Sequence, residues 1–465
     1  MAAEAGAIRQ AVEGISMRIA ALALMALASA CAGTPDTTPV NHRLAAMPPQ
    51  PVVELGVDGD AIALALSGGG ARAASFSYGA LLQLRDMKDA SGKRLIDRVA
   101  LVTAVSGGAI TATYFGQHGA DGLDGFRSAA LDKDWQSTLH TSFAAPNNWM
   151  RLLQGGLNGP DHLAEWLDRE VFKDGRMRDL PNQPRIIINA TDLYTGAPFA
   201  FAAPYFQAVC SDLSDVRLAD AVAASMAVPL AFRPIIIETF PKDCPSQLPA
   251  WVDEAAKDRT RPMLLRETAK AFQLYRDPDR MKYVHLTDGG VADNFGLSSL
   301  ITIRHASQTP YGPFSPRDAV KIRRMTFLVV NAEATPGGDW AQDAKGPDGM
   351  SLVDAAMTVS INAAKRVAAD AFAGTMAEWE RELIEYRCAL PTEEAKRLGA
   401  GADWNCRDVK FKLDVISFRD LPDDQFKELG GLPTVVSLPT EQVDHLIAGG
   451  RRAIESNEAV RALTR

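Results

Sequence analysis

Seven short apolar runs, at 61–66, 99–105, 185–190, 199–202, 233–237, 282–287 and 325–331, read as strands, because aliphatic and β-branched residues crowd into stretches too short for a helix. Helical spacing fills several of the gaps, as in 73–84, Ala-Ala-Ser-Phe-Ser-Tyr-Gly-Ala-Leu-Leu-Gln-Leu. That alternation predicts an α/β fold with a largely parallel sheet covered by helices. After residue 334 the pattern changes. Residues 350–386 predict a long helix on which Val353, Ala356, Met357, Ile361 and Ala364 share an apolar face expected to pack on the core. A strand at 409–418 and a helix at 441–456 follow. These strands are too few to close a core, so 335–465 is expected to be a C-terminal extension packed on the preceding domain.

The loops between the predicted elements carry the candidate chemistry. The strand at 61–66 runs into Ser67-Gly-Gly-Gly-Ala-Arg72 and then into the helix. Three consecutive glycines cost backbone entropy, which a chain tolerates where N–H groups must approach negative charge closely at a helix N-terminus. A phosphate loop would need glycine where Ala73 stands, or a following Gly-Lys-Ser/Thr, and has neither. An oxyanion hole fits better, because the strand at 99–105 delivers Ser106 onto a turn of small residues, Ala-Val-Ser-Gly-Gly. Such an elbow lifts a serine hydroxyl above the sheet edge. The strand at 282–287 ends in Asp288 before Gly-Gly, which puts a carboxylate where open α/β sheets gather their ligand loops. Taken alone, Asp288 could equally cap a plain turn.

In this order and spacing, Leu-Ser-Gly-Gly-Gly-Ala-Arg, Ala-Val-Ser-Gly-Gly and Asp-Gly-Gly resemble the patatin-like phospholipase family over about residues 60–305. Asn189-Ala-Thr-Asp-Leu-Tyr-Thr-Gly196, Ala223-Ala-Ser-Met-Ala-Val-Pro229 and Asp293-Asn-Phe-Gly296 look like the family too. Ser67, Ala73 and Ala104 depart from its pattern, each to a small residue. The resemblance implies a three-layer α/β/α catalytic domain over 59–334. It also implies a serine acyl hydrolase of phospholipase A or lysophospholipase type, working with a serine–aspartate dyad and no cofactor. Ser106 would be the nucleophile and Asp288 the base. The amides around Gly68, Gly69, Gly70 and Arg72 would form the oxyanion hole. The Arg72 side chain could hold the glycine loop or meet a phosphate head group. A Ser-His-Asp esterase, with His305 or His445 following Asp288, is the alternative, and so is a non-catalytic lipid-binding envelope protein that keeps the fold. Asp192, Asp293 and Asn294 read as turn-pinning residues.

The first 31 residues change where this enzyme is expected to act. From Met17 the chain reads as one basic residue, a short apolar stretch and then small residues up to Cys31, which suits a secretory segment. Ala28-Ser29-Ala30-Cys31 resembles a bacterial lipoprotein box with Cys31 lipidated; cleavage after Ala-Ser-Ala alone is the other reading. Ala32 then suggests outer-membrane sorting. Residues 32–58, rich in Thr, Pro and Ala, read as a flexible tether, so the expected partners are a lipid substrate and, through the anchor, a membrane surface. Without Cys31, four of the 5 cysteines remain, and proximity favours Cys210–Cys244 and Cys388–Cys406 in an oxidising compartment. A net charge of −8 argues against nucleic acid as a partner, and no metal-ligand spacing is present.

Overall fold

The computed structural model describes residues 37–46, 54, 56, 59–140, 145–153, 155–242, 244–334, 339–347 and 349–465; the targeting segment and Cys31 lie outside them. Ten strands are present among these residues: β1 (Gly59–Leu66), β2 (Val99–Val105), β3 (Gly156–Asn158), β4 (Arg185–Asp192), β5 (Pro198–Ala200), β6 (Leu230–Phe232), β7 (Ile235–Glu238), β8 (Tyr283–Asp288), β9 (Ile322–Asn331) and β10 (Lys410–Ser417). Eight of them form one sheet in the order β10-β9-β1-β2-β4-β8-β7, with β5 on β4, while β3 and β6 pair apart. From β10 to β4 every pairing is parallel; β8 and β5 are antiparallel to β4, and β7 is antiparallel to β8. The predicted run at 233–237 begins two residues later, because Pro234 has no N–H for a ladder, and the chain before it pairs with β3 instead.

The helices that position the site are α1 (Gly70–Asp86), α2 (Gly107–His118), α3 (Leu218–Met226), α4 (Gly290–Asp293), α5 (Leu297–Ala306), α6 (Gly349–Ala389) and α7 (Thr440–Ser456). α1 and α2 each start at the turn after a parallel strand, with β1 and β2 buried along nearly their whole length. Such continuous apolar runs are what a sheet covered on both faces requires. The result is the mixed α/β architecture with a helix-rich C-terminal region that the alternating pattern predicts.

Two expectations need correcting. The apolar face predicted at the start of α6 does not pack on the core: Val353 is 42% exposed, Ala356 is exposed, and Met357, Ile361 and Ala364 are only half-buried. Burial begins at Lys365 and Ala368, and the large apolar side chains follow two turns on, where Phe372 meets Phe327, Trp379 meets Phe314 and Phe411, and Met376 and Leu383 are buried. Large aromatic side chains decide the register, because they remove more apolar surface from water than alanines at the same spacing. The tether is not free along its length either. Val40 N–H donates to Ile236 and Leu44 N–H to Cys210, and Asn41 is buried against Glu238. Backbone pairing with β7, which lies at the end of the sheet, fastens this stretch, a contact that local composition does not reveal.

Residues after 335 belong to the same core. β10 extends the sheet beside β9 in register Leu413↔Phe327, and α7 lies along α1. Both predicted disulfides are formed, Cys210–Cys244 across 34 residues and Cys388–Cys406 across 18. Closing loops of this length removes unfolded-state entropy of about 3 kcal/mol each. Reduction is therefore expected to lower the melting temperature measured by circular dichroism. An unchanged melting curve in excess dithiothreitol would sink that expectation.

Candidate active site

The site is assembled at the carboxyl ends of β1, β2 and β4. Leu66 lies beside Ala104, so the loops that leave β1 and β2 start side by side. They touch backbone to backbone: a Cβ on Gly107 would come within 2.0 Å of the Gly70 carbonyl, which is why a glycine must follow Ser106. Val105 faces Asn189 on β4, and Ala190 faces Asp288 on β8. Ser106 and Asp288 thus approach from opposite sides of one strand.

Ser106 has φ 51° and ψ −124°, a conformation that an L-residue enters only at a cost of about 1–3 kcal/mol. Surrounding bonds hold it there. The Ser106 N–H donates to Ser225 Oγ at 2.8 Å, and the Ser225 hydroxyl donates to the Asn189 carbonyl at 2.6 Å. Asn189 Nδ2 in turn donates to Thr103 Oγ1 and the Ala104 carbonyl, so α3, β4 and β2 lock the elbow together. The Ser106 side chain comes near enough to the Asp288 carboxyl to favour its anion. Asp288 is buried, and burial pushes its carboxyl up to about 6, opposed by the Gly290 N–H and the Ser106 hydroxyl, which favour the anion. The Gly290 bond, 2.7 Å to Oδ1, fixes the carboxylate's orientation. Its strand end is pinned as well, since Asp288 N–H donates to Ala227 and Thr191 Oγ1 donates to the Asp288 carbonyl.

The four glycine-loop residues named from the sequence divide into different jobs. Gly68 N–H is donated to the Asn294 carbonyl at 3.2 Å, so it holds the loop and is not free for a ligand. A short range of the loop remains: the N–H groups of Gly69 and Gly70 make no hydrogen bond among the described residues, at the N-terminus of α1. Gly70 has φ +61°, and a Cβ there would lie 2.2 Å from the Val435 carbonyl, which also accepts the Ala71 N–H at 2.8 Å. The Arg72 side chain is buried and tied to backbone and hydroxyl oxygens: Nε to Ala332, Nη1 to Leu432 and Nη2 to Thr434 Oγ1. Desolvation lowers its pKa to about 10. Arg72 therefore clamps the glycine loop to the end of β9 and to the segment 432–435. Ser67, one of the departures from the family pattern, accepts the Ala332 N–H through its hydroxyl at 3.0 Å.

No histidine joins Ser106 and Asp288 among their described partners. His305 sits at the end of α5 against Thr375, lining a cavity of about 530 Å³ with Trp251, Arg304 and Glu378, and neither Ser106 nor Asp288 lines it. His445 is exposed on α7 and pairs with Glu428. Asp192 accepts from Tyr194 N–H, Thr195 Oγ1 and Tyr275 OH, and Asp293 from the N–H groups of Phe295 and Ser298, as turn-pinning carboxylates do. Sequence reasoning passed over the roles of Ser225, Asn189 and the Val435 carbonyl. The first two stand in the family-like stretches and could have drawn attention; Val435 carries no local signal.

Residues 64–301, a little over half of the chain, match the model of the patatin-like phospholipase family. The class is that of lipid hydrolases on a mixed α/β fold. Within it, the chain belongs to the patatin-like phospholipase family. Among solved structures the chain is similar to human GIVD cytosolic phospholipase A2, at 12% identity and a TM-score of 0.39, over 92% of this chain and 68% of that one. The same human enzyme in complex with methyl gamma-linolenyl fluorophosphonate gives 13% identity and a TM-score of 0.37, over 89% and 59%. No curated protein matches the chain in sequence.

Proposed function

We propose that the protein is a serine acyl hydrolase of phospholipid or lysophospholipid esters in which Ser106 is the nucleophile and Asp288 the only proton acceptor. The observation that carries this reading is the strained Ser106 set beside a buried carboxyl whose ordinary acidity has been weakened. A carboxylate of ordinary acidity is a poor base at neutral pH; one with pKa about 6 is better matched to the task. Ser106 Oγ attacks the ester carbon while its proton passes to Asp288, and the carbonyl oxygen, now an anion, lies against the Gly69 and Gly70 N–H groups. Collapse breaks the ester bond. Asp288 returns the proton to the departing alkoxide, leaving the acyl chain on Ser106. Water then attacks the acyl-enzyme, giving its proton to Asp288, which restores the Ser106 hydroxyl as the fatty acid leaves.

A fluorophosphonate probe tests this, because it phosphonylates only an activated serine. Labelling mapped to Ser106 is expected. Well-folded protein that stays unlabelled would favour the non-catalytic lipid-binding alternative.

We further infer that the protein is an exported bacterial lipoprotein of the outer membrane, held by lipid on Cys31. Two disulfides and the leader-like sequence ending at Cys31 support this reading. Cys31→Ala is expected to shift the protein from the membrane to the soluble fraction of a bacterial host that processes lipoproteins. Equal membrane recovery of both forms would overturn it.

A further inference from the structure

Lys365 is a charged side chain that the chemistry above does not use. It stands on α6 at the point where the helix first becomes buried, and is itself only 4% exposed. Burying an ammonium group is costly unless something nearby exploits or compensates the charge. Compensation here is thin. Nζ reaches the Asn331 amide oxygen at 3.5 Å and lies 5.7 Å from the centre of the Phe295 ring. The carboxylate acting on it, Glu333, does so through space and is itself bonded to Asn331 Nδ2 at 3.0 Å.

Its location is more telling than its burial. Asn331 stands between Val330, whose carbonyl accepts the Ser67 N–H, and Ala332, which binds both Ser67 Oγ and Arg72 Nε. Phe295 follows Asn294, whose carbonyl accepts the Gly68 N–H. The ammonium thus lies between the two segments that hold the glycine loop from either side, close enough to Arg72 for the two charges to repel.

We infer that Lys365 is a positioning residue of the hydrolytic site, whose buried positive charge stabilises the anion formed on the substrate carbonyl at Gly69 and Gly70. The inference rests on the acyl-hydrolase reading. A fixed charge in a poorly solvated region acts over a longer range than one in water, and it needs no rearrangement when the oxyanion forms. Desolvation, aided by Arg72 and Arg366 and opposed by Glu333, lowers the lysine's pKa to about 8. On α4, which packs against α6, the ionisable side chain is Asp293, engaged by two backbone N–H groups. The charge is therefore present at neutral pH and lost as pH rises through about 8, which would give the rate profile a falling limb.

Lys365→Met and Lys365→Arg decide the matter when kcat and KM are measured from pH 5 to 10 on a phospholipid and on an uncharged ester such as p-nitrophenyl butyrate. Lys365→Met is expected to lower kcat by about tenfold to a hundredfold on both substrates with little change in KM, and to remove the falling limb. Lys365→Arg is expected to keep kcat within a few-fold and move the limb above pH 10. A falling limb unmoved in the arginine variant overturns the inference, as does a loss confined to the phospholipid, which would make Lys365 a reader of the phosphate group. Should the methionine variant fail to fold by circular dichroism, the arginine variant's limb decides alone. Wild-type hydrolysis that survives Ser106→Ala would instead sink the acyl-hydrolase reading beneath it.

Discussion

Ser106→Ala is expected to reduce ester hydrolysis by at least about 10⁴-fold in kcat while leaving the melting temperature nearly unchanged, because a nucleophile's removal leaves only the weak catalysis of the oxyanion donors. The elbow itself should survive. The bonds that hold it run from the Ser106 N–H to Ser225 and from Ser225 to Asn189, and none of them needs the Ser106 hydroxyl. Removing that hydroxyl also relieves nothing in the backbone, since alanine at φ 51° is as strained as serine. The measurement is initial rate on a phospholipid together with thermal unfolding of both proteins. A variant that keeps a tenth of the activity would show that another group attacks the ester.

Asp288→Asn is expected to cost on the order of 10²–10⁴-fold, the range for losing a general base, with KM little changed. Its pH dependence separates this cause from simple disruption. Wild-type kcat/KM should rise about tenfold per pH unit below about 6 and level off above it, because Asp288 must be deprotonated to accept the Ser106 proton and its pKa is raised to about 6. The asparagine variant should lose that rising limb. Two control variants complete the test. His305→Ala and His445→Ala should each retain activity within about two-fold, since these side chains meet Thr375 and Glu428 rather than Asp288. A large loss in either would revive a histidine-mediated mechanism.

Much of the fold is legible in the pattern of apolar residues, since strands buried on both faces are continuously hydrophobic and helices show their own period. β1, β2, β4, β8, β9 and β10 all overlap predicted runs. Misreadings came where two apolar faces compete. α6 carries small apolar residues in its first turns and large aromatics further on, and periodicity alone does not weigh Ala356 against Phe372. The tether's attachment to β7 was equally hidden, because backbone bonds such as Val40 to Ile236 depend on which edge lies nearby and on no particular side chain.

By itself, the sequence determined the candidate groups of the proposed site: a serine on a small-residue turn, a glycine run after a strand and an aspartate at a strand end. Those signals are local, because tight turns and close backbone approaches admit few residue types. Only the tertiary structure decided how they are deployed. Pairing of β4 with β2 and β8 brings the strand ends that carry Ser106 and Asp288 to either side of β4, and the Asn294 carbonyl engages the Gly68 N–H. Segment 432–435, more than 300 residues from the loop it clamps, fixes Gly70 and Arg72. These depend on hydrogen bonds and burial between distant parts of the chain, and burial is what raises the Asp288 carboxyl from its ordinary acidity to about 6.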